Sequence, residues 1–239
     1  MSSTVIKNWD KNNWLSSKSY IHKFVNFLIK SMNLNSNSKI LDVGCGRGKI
    51  TGSLRSKLKL INKPIGIDLV KHKDKDKRII FKKINILNFI KSNKKKFDLI
   101  LIKQTIHLLR INEIKNVVTE LKKILNPNGK IIIITLDPNK NELPCFGSMK
   151  RRLQKSLKRD KMIHNYISKL FPKKKLKYFT YKVKIKKEKY IKMISERFIS
   201  ILLNLNDYQI LSGIKEINLK FKNNLKFNDK LICIIIKNN

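Results

Sequence analysis

Alanine is absent from this chain, and cysteine, proline, glycine and tryptophan number only three, five, eight and two among 239 residues. The cysteines, Cys45, Cys145 and Cys233, lie far apart with no paired metal-ligand spacing. Neither a disulfide framework nor a structural zinc site is expected, and no other metal. Long apolar runs are missing too: the longest, at 130–136 and 231–236, fall well short of the roughly 20 residues a membrane helix needs. The opening MSSTVIKNWDKNNW is too polar for a signal peptide, so a soluble, cytoplasmic chain with no membrane partner is expected. Acidic residues are scarce, 16 against 55 lysines and arginines, which leaves a formal net charge of +39.

That excess would ordinarily raise the case for nucleic acid, because clustered cations release counterions from a phosphate backbone. Its make-up points elsewhere. There are 47 Lys but 8 Arg, with 37 Ile and 26 Asn, the residue set that AT-rich codons supply. Recognition of phosphates or base edges favours the planar fork of arginine, whereas lysine decorates any solvated surface. A solvated basic surface is therefore the first reading and a nucleic-acid footprint the second. The charge peaks at 150–192, with 18 basic residues and two acids, Asp160 and Glu188.

The length suits one domain with a substantial core. Apolar residues recur at helical spacing over 20–32 (Ile21, Phe24, Val25, Phe27, Leu28) until the polar stretch 33–38. A β-branched run at 39–43 ends in glycines, a helical pattern fills 49–58, and a second buried run follows at 64–69, which together make a βαβ unit. Further strand-like runs stand at 79–84, 97–102 and 130–136. Before the last lies a helical stripe over 112–125, stopped by Asn126-Pro127-Asn128-Gly129. Residues 149–170 read as a basic amphipathic helix with Leu153, Leu157, Met162, Ile163 and Ile167 on its apolar side. A strand at 178–185, helices at 190–203 and 207–217, and a strand at 231–236 complete the pattern. Alternating strands and helices predict an open, mostly parallel seven-stranded sheet. The domain divides into an N-terminal helical lid at 1–37, a core at 38–137, a basic helical insert read as a lid at 138–177, and closing strands and helices at 178–239.

The chemistry sits at Ile40-Leu41-Asp42-Val43-Gly44-Cys45-Gly46-Arg47-Gly48, where a buried strand runs through three alternate glycines into a helix. Glycines there let a ligand approach the backbone. A dinucleotide fingerprint reads G-x-G-x-x-G, whereas this loop reads G-x-G-x-G, which argues against a pyrophosphate ligand. The second strand ends at Gly66-Ile67-Asp68, where a carboxylate can accept two hydrogen bonds from ribose hydroxyls. Loop plus acid make a nucleoside site; the bland alternatives are a ligand-free turn for the glycines and a surface or capping acid for Asp68.

Residues 41–48 resemble the first motif of class I S-adenosylmethionine-dependent methyltransferases, Asp68 their ribose-binding acid, and 125–129 their L-x-P-x-G turn. The tail, with 190–193, Arg197-Phe198-Ile199-Ser200 and 207–217, resembles the type 11, trans-aconitate-methyltransferase-like group, and Gln104-Thr105-Ile106-His107 resembles that group's Q-A-x-H-W segment. The resemblance implies a Rossmann-like, doubly wound α/β fold, S-adenosyl-L-methionine as cofactor and S-adenosyl-L-homocysteine as product. It places Asp42, Gly44, Gly46 and Gly48 against the methionine part, Asp68 at the ribose, and Asn85 with Ile86 at the adenine, with Cys45 and Leu69 also among the cofactor-binding residues. Two features depart from the pattern: 71–78 is short and charged where a helix usually follows the ribose acid, and Asn85 stands where an aspartate is common.

His107, beside Gln104 after the fourth strand, is either a base for the acceptor proton or a structural histidine. Trp9, Trp14 and Tyr20 either fold over the pocket or anchor the terminus. Arg197 is either a clamp for a substrate carboxylate or a surface charge. A sulfonium is already an activated methyl donor, so the chemistry asks little beyond positioning. The leading expectation is O-methylation of a small, anionic metabolite. The alternatives are an RNA methyltransferase, with nucleic acid as partner, and a non-catalytic S-adenosylmethionine-binding protein.

Overall fold

The computed structural model describes residues 12–238. Seven strands form one sheet in the order β3-β2-β1-β4-β5-β7-β6. Strands β1 (Ile40–Val43), β2 (Ile65–Asp68), β3 (Ile80–Lys83), β4 (Phe97–Lys103) and β5 (Leu125–Leu136) run parallel. The last strand, β7 (Leu225–Lys237), is antiparallel to both β5 and the rim strand β6 (Lys175–Ile185). The fold is thus the expected Rossmann-like, mostly parallel doubly wound sheet.

Ile131, Ile132, Ile133 and Ile134 of β5 are all fully buried, as a strand covered on both faces requires. On one side Leu99, Leu101, Ile132 and Ile134 pack with α1 (Lys18–Met32), α6 (Lys187–Ser195) and α7 (Asp207–Lys220). On the other, Ile100, Ile102, Ile131 and Ile133 pack with α3 (Ile86–Ser92) and α4 (Ile111–Lys123). Segment 138–177 carries α5 (Gly147–Leu170), which begins in the first cluster with Met149 and ends in the second with Ile163 and Ile167. Met162, expected on the apolar side of this helix, is exposed, because the buried stripe runs through Met149, Leu153, Asp160, Ile163 and Ile167.

Two local expectations need correction. Leu125 leaves the helix and pairs with Phe97, so β5 begins there and the Asn126-Pro127-Asn128-Gly129 stretch is an irregularity inside the strand, with Asn128 left-handed at φ 63°. The parallel ladder to β4 outcompetes one more helical residue. Helix also gives way within 190–203, where α6 stops at Ser195 and only a 3-10 turn at Ser200–Leu202 follows. Among the described residues, no helix is long and apolar enough to cross a membrane.

One buried polar contact ties α5 to the sheet: His164 Nε2 and Thr135 Oγ1 of β5 lie 2.5 Å apart. Burial pushes the imidazole pKa down from 6.5 to about 4, against the opposing charge of Asp137. Between those values the unfolded chain binds a proton that the folded chain refuses, so acidification costs about 1.4 kcal/mol per pH unit. Asp42 and Asp160, whose carboxyls burial pushes up to about 6, work in the opposite sense. Because these contributions oppose one another, the expected readout is a difference: as the pH drops through this window, the Tm of His164→Gln should rise relative to that of the wild type in thermal unfolding. Parallel slopes in the two proteins would remove His164 as the source.

Candidate functional site

Strand order reverses between β1 and β4, the switch point where open α/β sheets bind ligands outside the carboxyl ends of their strands. At that end of β1, Asp42 is buried, its Oδ2 accepting the hydroxyl of Thr51 from α2 (Lys49–Leu58). Burial pushes the Asp42 carboxyl up to about 6; Thr51 and the Lys103 ammonium pull it down, and Asp68 adds to the rise. The Gly44 and Cys45 amides both donate to the Ile67 carbonyl, at 2.9 and 3.1 Å, which folds the loop onto β2.

Gly44, Gly46 and Gly48 are all left-handed, with φ of 68°, 53° and 68°. A Cβ on Gly44 would stand 2.2 Å from Thr105 Oγ1, so the residue after Gln104 packs directly on the loop. A Cβ on Gly46 would meet nothing within 4 Å, so the loop has open space above it there. Gly48 is the N-cap of α2. Asp68 closes the loop: Oδ2 accepts the Gly46 amide at 2.8 Å and Oδ1 the Val70 amide at 2.9 Å. Each oxygen keeps a lone pair for a further donor, the acceptor set a ribose diol needs.

Beyond Asp68 no helix forms. Ion pairs hold the connection instead: Arg47 with Asp74 at 3.1 Å, and Arg78 bidentate on Asp76 at 2.9 and 2.7 Å. Leu69 is exposed. Asn85 caps α3, its Oδ1 accepting the Asn88 amide at 2.8 Å, while its side-chain NH₂ remains available; Ile86 is half-buried at the first turn. Asp42, the glycines and Asp68 are therefore brought together, with Asn85 and Ile86 following β3, two strands from β1.

On the other flank, Gln104 takes a left-handed φ of 55° where β4 ends, a conformation that costs a non-glycine residue of order 1 kcal/mol. His107 sits in the 3-10 turn Ile106–Leu108, with Nδ1 buried and without a hydrogen-bond partner. Burial, then the charge of Arg159 on α5, holds its pKa below the usual value.

Arg197 and Trp14 have structural partners. Arg197 donates to Asp207 Oδ1 at 2.6 Å and to the Leu205 carbonyl at 3.2 Å, clasping the link between α6 and α7. The Trp14 indole donates to buried Asp229 at 3.2 Å and meets Phe227 edge-on at 5.2 Å, the anchoring alternative for this aromatic. Trp9 lies outside the described residues.

Four contributors escape the sequence reading. Thr51 carries no pattern, and Thr105 stands in the segment resembling Q-A-x-H-W with no role of its own there. Lys103, whose ammonium lies 5.5 and 5.7 Å from the Phe24 and Tyr20 ring centroids, was one of many lysines. Asp160 had a visible signal: it falls seven residues from both Leu153 and Ile167, on the apolar stripe, where an acid does not belong. Among the described residues, no cluster of His, Cys, Asp or Glu could hold a metal ion.

Residues 34–196 match a family model described as a methyltransferase domain. No curated protein matches the sequence. Among solved structures, a protein of Anabaena variabilis named as a methyltransferase from an antibiotic biosynthesis pathway superposes with a TM-score of 0.59 at 14% identity, over 89% of this chain and 96% of that one. An S-adenosylmethionine-dependent methyltransferase of Archaeoglobus fulgidus gives 0.52 at 15%, over 91% and 94%. The N-methyltransferase NodS of Bradyrhizobium japonicum, in complex with S-adenosyl-L-homocysteine, gives 0.50 at 13%, over 97% and 99%. At such identities the likeness is one of fold.

Gly44→Ala places a methyl group inside Thr105 and a side chain at positive φ, and should cost about 1–3 kcal/mol of stability. Adding Thr105→Gly should restore part of the loss by removing the clash and leaving the strain. Thermal melts of the single and double variants read this; an unchanged Tm for Gly44→Ala would mean that the loop is not packed against Thr105.

Proposed function

The chain belongs to the methyltransferase-domain family, and from that premise we propose that it transfers a methyl group from S-adenosylmethionine to an oxygen of a small acidic metabolite. The carrying observation is the left-handed glycine loop at the switch point, open above Gly46 and tied to the Asp68 carboxylate. Bound there, S-adenosylmethionine would supply a methyl group already activated on a sulfonium. The protein's task is then to bind, orient and exclude water.

In this reading Asp42, Gly44, Cys45, Gly46 and Gly48 line the methionine part. Thr51 holds the Asp42 carboxyl in one orientation through its hydroxyl. Asp68 takes the ribose diol on its spare lone pairs, with Leu69 beside it. Asn85 and Ile86 border the adenine, Asn85 through the amide NH₂ that its helix cap leaves available. Gln104 and His107 border the acceptor. The exposed lysines and arginines of α5 support an anionic acceptor, because a basic surface steers anions toward a site. Arg197 is already engaged by Asp207 and offers that reading no support.

Calorimetry with S-adenosylhomocysteine tests the cofactor site. Asp68→Ala should weaken binding about 10- to 100-fold, the worth of hydrogen bonds to a charged group, and Asp68→Asn by less. Equal affinity in all three proteins would exclude Asp68. Label from S-adenosylmethionine carrying a radioactive methyl group should enter the small-molecule fraction of a cell extract. Label in RNA instead would replace the small-molecule reading.

A further inference from the structure

The interface of α5 with the sheet is apolar over most of its length, where Ile163 and Ile167 sit among Ile106, Ile131 and Ile133. At the carboxyl ends of β4 and β5 it turns polar. Asp160 and His164 stand one turn apart on the buried face of α5; His164 meets Thr135 at the end of β5, where Asp137 follows, and Arg159 beside Asp160 reaches across to the end of the turn after β4 that holds His107. Some of these groups are satisfied: His164 meets Thr135, and Asp137 accepts the Asn139 amide at 2.9 Å. Two are not. Asp160 is 2% exposed, yet its Oδ1 has no partner, and neither has His107 Nδ1. Buried polar atoms in native folds are almost always paired, so such orphans call for a partner from outside the chain.

Arg159 links the helix to the turn that carries His107. Its charge acts on His107 and on Asp160, and its guanidinium reaches across to donate to the Leu109 carbonyl at 3.0 Å. The place is also the right one. Thr105, two residues before His107, packs on Gly44, so the turn carrying His107 starts at the glycine loop.

Resting on the methyl-transfer reading above, we propose that this seam is the acceptor site: Asp160 receives the proton of an acceptor hydroxyl, and Arg159 binds the carboxylate of the same molecule. The hydroxyl oxygen attacks the sulfonium methyl carbon; the O–C bond forms as the S–C bond breaks, its electron pair staying on sulfur. The hydroxyl proton passes to Asp160 Oδ1, so the cationic donor and the carboxylate give a neutral thioether and a neutral acid. His107 Nδ1 offers the acceptor a second contact. Burial raises the Asp160 carboxyl to about 6 against the pull of Arg159, which makes it a stronger base than an exposed aspartate. An acceptor carboxylate would bring no proton to remove and would face an unpaired acid, so the reacting oxygen is a hydroxyl and the product an ether.

Wild type, Asp160→Asn and Asp160→Leu test this with three readouts. Calorimetric affinity for S-adenosylhomocysteine should stay within about twofold in all three. Transfer of labelled methyl into the small-molecule fraction of a cell extract should fall about 100-fold or more in both variants, the range expected for a lost proton acceptor. The wild-type product should keep its label in hot alkali, as an ether does. The Tm of Asp160→Leu should rise, because an unpaired buried carboxyl is replaced by an apolar side chain of similar size. Undiminished transfer by Asp160→Asn overturns the proposal, as does label released as methanol, the mark of a methyl ester. A lower Tm together with weakened cofactor binding in both variants overturns it too, by making Asp160 a residue of the scaffold. Loss of S-adenosylhomocysteine binding in the wild type, or binding without transfer, would instead sink the methyltransferase reading on which this one stands.

Discussion

The parallel ladder between β1 and β4, with Asp42 opposite Leu101 and Val43 opposite Ile102, is the contact on which the site depends. It joins strands that are not consecutive along the chain and marks where the strand order reverses. Because side chains alternate across a strand, this register puts Asp42 and Lys103 on the same face and brings Thr105 down onto Gly44. A shift by one residue would send Asp42 into the opposite layer and lift Thr105 off the loop. Ladder, loop and Asp68 are mutually dependent: the loop folds back onto Ile67 of β2 and leans on β4 through one threonine methyl and hydroxyl.

Around this ladder the structure tolerates an unusual amount of buried polarity. On one face Asp42, Lys103 and Asp229 share the carboxyl edge, covered by Tyr20 and Phe24 of α1 and by Trp14. On the other, Asp160 and His164 interrupt the isoleucine interface of α5. Desolvating such groups opposes folding unless partners repay it. Both places lie at the carboxyl ends of the strands, and the opposite ends of β4 and β5 hold only apolar residues in their buried positions. Polarity gathered at one edge of an otherwise apolar sheet separates the part that stabilises from the part that binds.

Much of the architecture is legible in the sequence. Seven strands, the mostly parallel sense of their sheet and the loop from Gly44 to Gly48 followed from apolar runs punctuated by glycine, because those signals are local. What escaped was set by distant contacts. Leu125 joins β5 only because Phe97 waits beside it. Arg197 looked available until Asp207 came to meet it. The connection after Asp68 looked like a missing helix, and it is held by Arg47, Asp74, Asp76 and Arg78 as a clasp of charges. Asp160 hid inside a helix that read as merely basic, although its phase with Leu153 and Ile167 marked it as out of place.

The rim strand β6 shows what so narrow a composition can still specify. Along Tyr181-Lys182-Val183-Lys184-Ile185, the lysines point to solvent and the others are buried. In β5 the same vocabulary yields four consecutive buried isoleucines, because helices cover both faces. Two abundant residue types, one that avoids water and one that seeks it, suffice to write both a covered strand and a rim, and the lysines of the rim also discourage a neighbouring chain from adding to the sheet. Drift in nucleotide composition can then run far through the surface and the core without changing the message. It is stopped at those positions, such as Gly44 and Asp68, where neither of the two letters would do.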